Sequence, residues 1–205
     1  MGKLYETDHV PTVLTQVGVL SLRLGAHPKT RELVAAIAAA KATLEVVDRD
    51  YQQAVLERLA ASLELAYLDG EADLAWMDLS RDVHAKASGD RESDLWLGLY
   101  TEAPSKTVEG VVTDHQVRNV ERVVSIIETN DTYAEFRPQA ARLKTEHEAS
   151  LEGQKRYKAA LAKENALSHQ RDLAAHDARR AHNSVKPRLE LIFETKPRMV
   201  KAFWG

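Results

Sequence analysis

Residues 138–185 read PQAARLKTEHEASLEGQKRYKAALAKENALSHQRDLAAHDARRAHNSV, and this stretch decides the fold. It holds one glycine (Gly153), no proline after its first position, and eleven alanines among Leu, Lys, Arg, Glu, Gln and His. These are strong helix formers. At roughly 1.5 Å per residue a single helix of this length spans about 72 Å. A compact chain of 205 residues has a radius of gyration of about 17 Å, hence a diameter of roughly 43 Å. The sequence therefore predicts an elongated shape.

A second segment matches it. Leu33, Ile37, Ala40, Leu44, Val47, Tyr51 and Ala54 recur three and four apart, and the apolar seam then shifts to Val55, Leu59 and Leu63. No glycine or proline falls between Lys29 and Asp69. This predicts an amphipathic helix over 29–69. Asp69-Gly70 is a turn or a local break. Shorter helices follow over 71–87, 91–101 and 107–129; the last is marked by valines and isoleucines at helical spacing from Val108 to Ile127. Ser88-Gly89-Asp90 reads as a helix stop and a new start. Ahead of them, Val13, Val17, Leu20 and Leu24 follow Pro11 at helical spacing, although alternation over residues 17–23 also permits a strand. Leu189, Ile192, Phe193, Met199, Val200, Phe203 and Trp204 make an apolar tail over 186–205.

The expected fold is all-α. It is a single elongated antiparallel bundle over 1–205, coiled-coil-like, of four or five helices with two long ones. Residues 1–136 carry 13 Lys and Arg against 23 Asp and Glu, while residues 137–205 carry 15 against 8. The two long helices are therefore expected to lie antiparallel, acidic against basic. The middle of 138–185 is too polar for a deep core, and isolated helices are marginal in water. A second copy is one source of the missing cover.

Composition excludes several classes. The chain has no cysteine, so disulfides, thiolate metal sites and cysteine nucleophiles are ruled out. No apolar run approaches a membrane span. The start lacks the apolar stretch of a secretory signal, and Tyr5 and Glu6 do not suit myristoylation at Gly2. A cytoplasmic location is the expectation. No phosphate loop, nucleophile elbow or other catalytic motif occurs, so no enzyme activity and no cofactor are expected.

Three sets of residues remain as candidates. His169, Asp172 and His176 fall on one helical stripe, with imidazole and carboxylate ligands suited to Zn or Fe; a solvated polar face is the plain alternative. The long helical segments hold no Glu-x-x-His pair, the mark of di-iron bundles. Carboxylates at Asp69, Glu71 and Asp73 suggest a calcium loop, but Ala75 and Met77 stand where oxygen donors are needed. Tyr157, Leu161, Phe203 and Trp204 are candidate interaction residues; the last two serve either a partner or the chain's own core. Trp76 and Trp96 read as core anchors.

Of the possible functions, a structural or protein-interaction role with self-association, or with a helical partner, leads. A metal- or small-ligand-binding bundle comes second. A nucleic-acid or membrane-surface binder using the basic third comes after it. Only Tyr157 interleaves with those cations as a stacking aromatic, and no lysine-rich face opposes a strong apolar one.

Overall fold

The computed structural model describes residues 2–108 and 114–204. All regular structure among them is helical, with no strand. Two long helices, α2 (Arg31–Lys86) and α6 (Arg137–Asn183), are joined by shorter ones: α1 (Val10–Gly25), α3 (Asp94–Leu97), α4 (Pro104–Thr107), α5 (Asp114–Thr129), α7 (Val185–Ile192) and α8 (Pro197–Trp204). The chain divides into two compact units. Unit 1 comprises Met1–Glu57 with Leu161–Gly205, and unit 2 is Arg58–Ala160. Both α2 and α6 contribute to each.

In unit 1 the alternation over residues 17–23 does not make a strand. Pro11 sits in the first turn of α1, and Val13, Val17, Leu20 and Leu24 line its buried face. Thr30 closes the next turn by donating its hydroxyl to the Leu24 carbonyl at 2.6 Å. Ile37 and Leu44 of α2 and Ala175 and Ala178 of α6 complete the core with Leu189, Phe193 and Phe203. The apolar tail is thus two short helices rather than one segment, because Pro197 has no N–H to continue α7 and instead opens α8. Leu4 is tied to α6 through both its N–H and its carbonyl, at 2.9 and 2.8 Å from the Asn183 side chain.

In unit 2, α2 runs through Asp69-Gly70 without a break. It ends where Ser88 and Gly89 take left-handed backbone angles (φ 54° and 79°) and the Gly89 N–H reaches the His84 carbonyl at 2.9 Å. Helix α3 is shorter than the expected 91–101; Ser93 caps it by accepting from the Trp96 N–H at 3.3 Å. Of the segment expected as a helix over 107–129, Asp114–Thr129 is α5, Thr107 is the last residue of α4, and residues 109–113 lie outside the described ones. Trp76 and Trp96 are core anchors. The Trp76 indole donates to the Pro104 carbonyl at 3.0 Å, and both indoles pack on Tyr100 at 5.6 and 4.6 Å. Helix α5 buries Val120, Val123, Val124 and Ile127 and is joined to α2 by Gln116–Asp73 and to α6 by Lys144–Glu128.

Within each unit α2 and α6 are antiparallel, acid against base. Unit 2 pairs Glu64 with Arg156 at 3.0 Å and Asp78 with Arg142 at 3.2 Å. The partner thus moves fourteen residues back on α6 as α2 moves fourteen forward. Unit 1 pairs Asp48 with Arg171 and Glu57 with Lys163, each at 2.6 Å. Part of the charge asymmetry of the sequence is therefore met between these two helices, through Arg142, Arg156, Lys163 and Arg171.

Candidate interaction surface

The part of α2 in unit 2 has two faces. Ala72, Ala75, Trp76, Leu79 and Val83 point inward and are buried. On the other side Leu59, Leu63, Tyr67 and Leu74 are 44, 74, 66 and 55 % exposed. At 100° per residue these four lie within an arc of about 80°, and they extend over about 22 Å of helix. Between them Ala60, Ala66 and Gly70 are also exposed. Single exposed leucines are common on soluble proteins; four large apolar side chains aligned on one helix face make this the candidate interaction surface.

One flank of this stripe is acidic, with Glu64, Glu71 and Asp78 seven apart. Glu64 and Asp78 are bridged to Arg156 and Arg142. Among the described residues Glu71 makes no ion pair; Ala149 occupies the corresponding place on α6.

The two mid-helix glycines of unit 2 differ. A Cβ at Gly153 would meet Leu68 and Leu65 side chains at 3.0 and 3.5 Å, so glycine there permits the close approach of α6 to α2. A Cβ at Gly70 would meet nothing within 4 Å. Glycine inside a helix costs about 1 kcal/mol relative to alanine, and among the described residues nothing comes within 4 Å of where its Cβ would be.

Unit 2 also holds a buried polar cluster. His147 is only 4 % exposed, and among the described residues its Nε2 has no hydrogen-bond partner. It lines a cavity of about 300 Å³ with Glu121, Glu148, Val124 and Leu151. Burial holds the His147 imidazole below its ordinary range, against the pull of Glu121, Asp69 and Glu148. Asp69 accepts from Ser150 at 3.2 Å, and burial pushes its carboxyl up. Asp73 is pushed up to about 6, by burial first and then by Asp69, despite a hydrogen bond from Gln116.

The residues singled out from sequence lie elsewhere. His169, Asp172 and His176 are all exposed on α6 in unit 1. Their offsets spread them over about 10 Å of helix axis, and the nearest acid to His176 is its neighbour Asp177 at 3.8 Å. Among the described residues no group of three or more His, Cys, Asp or Glu is arranged to hold a metal ion. Tyr157 and Leu161 are half-buried on α6. Phe203 is 7 % exposed and stacks on Phe193 at 5.7 Å, and Trp204 lies 4.7 Å from the His182 ring. Phe203 belongs to the chain's own core, and Trp204 packs half-buried against it.

The stripe left a signal in the sequence: the seam shift to Val55, Leu59 and Leu63. The first seam, Leu33–Ile37–Leu44–Ala54, is buried, while Leu59 and Leu63 of the second are exposed. A shift of seam is a change of facing.

No helix among the described residues is long and apolar enough to cross a membrane. No family model, no curated protein and no solved structure matches the chain.

Proposed function

We propose that this chain is a non-catalytic structural or interaction protein that self-associates through helix faces, and that the α2 stripe of Leu59, Leu63, Tyr67 and Leu74 is the associating face. The observation that carries this is their common exposure on one side of a helix whose opposite side is fully packed. Fully burying a leucine is worth about 1.5–3 kcal/mol, so a shared apolar face stabilises a complex that leaves both folds unchanged. The basic residues of α6 offer less support for a polyanion surface: Arg142, Arg156, Lys163 and Arg171 are bridged to acids of α2.

Size-exclusion chromatography with light scattering tests this at tens of micromolar, where weak helix-face complexes populate. The wild-type chain runs above its monomer mass, and Leu63→Glu runs as a monomer with an unchanged helical circular-dichroism spectrum. Leu191→Glu, a substitution at an equally exposed leucine in unit 1, keeps the association. A wild-type monomer at that concentration overturns the proposal.

A further inference from the structure

We infer that the cavity between α5 and α6 is a binding site for a small organic cation, an ammonium group joined to a short apolar body. This site stands apart from the self-association proposed above and does not depend on it.

The cavity has a volume of about 300 Å³ and lies wholly within unit 2. One water takes up about 30 Å³ of the liquid, so the space admits more than an isolated solvent molecule. It falls at the small end of ligand pockets, which run from about 300 to 1,000 Å³. Its apolar lining comes from Val120 and Val124 of α5 and Leu151 of α6. The valines are buried and the leucine is half-buried. Val120 and Val124 are four apart on one helix, as His147 and Leu151 are on the other, so each helix turns one stacked pair to the same space.

His147 is the buried polar member of this lining. It is 4 % exposed, and among the described residues its Nε2 has no hydrogen-bond partner. A buried polar atom left unpaired is costly, and native folds leave few of them. Burial holds the imidazole below its ordinary range, so the ring is neutral at about pH 7. In its Nδ1–H tautomer it offers Nε2 as an acceptor. A ligand that satisfies it must bring a donor.

Charge selects that donor. Glu121 and Glu148 are exposed at the cavity and act on the His147 ring. Among the described residues neither makes an ion pair. The third acid of the lining, Glu128, is already bridged to Lys144 at 3.3 Å. Asp69, which also acts on the ring, accepts from Ser150 at 3.2 Å. Two carboxylates are thus left without a counter-charge, and they repel anions. A bare metal ion does not suit the site, because no group of three or more His, Cys, Asp or Glu among the described residues is arranged to hold one. An ammonium group seated here donates to Nε2, faces Glu121 and Glu148, and lays its apolar body on Val120, Val124 and Leu151.

The full chain carrying isotope-labelled histidine tests this by NMR titration with n-butylammonium chloride at about pH 8, above the ordinary histidine range. His147→Phe identifies the His147 ring signals by their loss. In the wild type those signals move and saturate, with half-saturation at about 10 mM or below, as suits so small a ligand. n-Butanol, equal in length but uncharged, binds at least about tenfold more weakly. So does n-butylammonium to the double variant Glu121→Gln/Glu148→Gln, each carboxylate contributing about threefold. Both positions are exposed, so this variant keeps its fold, as an unchanged circular-dichroism spectrum verifies. Sodium chloride at matched ionic strength leaves the ring signals in place. No saturable movement up to about 100 mM overturns the site. Equal movement with sodium chloride reduces the effect to screening and also overturns it. Butanol binding as tightly overturns the cationic class of ligand, and undiminished binding to the double variant overturns recognition by Glu121 and Glu148. Each outcome reads the same whether the chain is a monomer or self-associates.

Discussion

Arg171 lies over Tyr51, its guanidinium 4.7 Å from the ring centroid, while its Nε donates to Asp48 at 2.6 Å. Both charged side chains are 23 % exposed, against 50 % for each member of the Glu64–Arg156 pair. Two geometrically similar bridges between α2 and α6 should therefore carry different energies. Arg171→Ala is expected to cost about 1–2 kcal/mol, through the lost stack and the half-buried bridge. Arg156→Ala should cost about 0–0.5 kcal/mol, as solvent-exposed pairs do. Urea denaturation of the two variants decides it; equal losses would refute the ranking. Arg171→Lys should recover little, since lysine cannot reproduce the planar stack.

Gly153 is expected to tolerate nothing large. Gly153→Leu drives a side chain into Leu65 and Leu68 and should lower stability by about 1–3 kcal/mol, the usual cost of overpacking. Gly70→Ala gains helix propensity with no collision and should raise the stability of the dissociated chain by up to about 1 kcal/mol. Thermal melts at low protein concentration, where association does not contribute, separate the two. Destabilisation by Gly70→Ala would mean that something in the chain approaches it after all.

The Asp73 carboxyl gives unit 2 a pH dependence of definite sign. In the unfolded chain it ionises near its ordinary value of 3.8, but in the fold it keeps its proton to about 6. The folded state therefore binds the extra proton between these values, and stability falls as pH rises from about 4 to about 6. His147 acts in the opposite direction. Its imidazole is held neutral by burial, so stability falls as pH drops below the ordinary histidine value of 6.5. Asp73→Asn keeps an acceptor for Gln116 and removes the first effect. It should unfold at higher urea than wild type at pH 7, with the gap closing by pH 4. A gap that is the same at both values would show that the Asp73 charge is not what matters.

Phe203 should behave as a core residue. Phe203→Ala removes a ring stacked on Phe193 and edge-on to His27 and is expected to cost about 3–5 kcal/mol, as for other buried phenylalanines. The melting temperature measures this directly. An unchanged midpoint would return Phe203 to the role of a displayed docking residue.

The large elements were legible because their causes are local. Three-and-four spacing from Leu33 to Ala54 and the alanine-rich composition of 138–185 specify helices wherever they sit. The opposed charges of the two segments favour their pairing, in either direction. Less visible was what covers each face. Periodicity shows that Leu59 and Leu63 share a side of a helix, but not that the side is bare, since that depends on where α5 and α6 pack. Gly70 shows the same limit. A single glycine breaks a weak helix and not one held by Ala72, Ala75 and Trp76 against a core. The stripe His169–Asp172–His176 was visible for the converse reason: a helix aligns residues at these offsets whether or not a fourth ligand faces them.

Unit 2 is one continuous stretch, while unit 1 is made of two that lie on either side of it. This orders assembly in time. Residues 58–160 can close their own contacts as soon as they have been synthesised. The core around Leu20 and Ile37 must wait for Ala175, Leu189 and Phe203. Its loop-closure cost is that of joining two segments across the whole of unit 2, and it falls once unit 2 has folded and shortened the path between them. Long-range contacts of this kind slow folding. The nascent chain therefore carries the amphipathic helix Val10–Gly25 with its apolar face uncovered until residues 161–205 emerge.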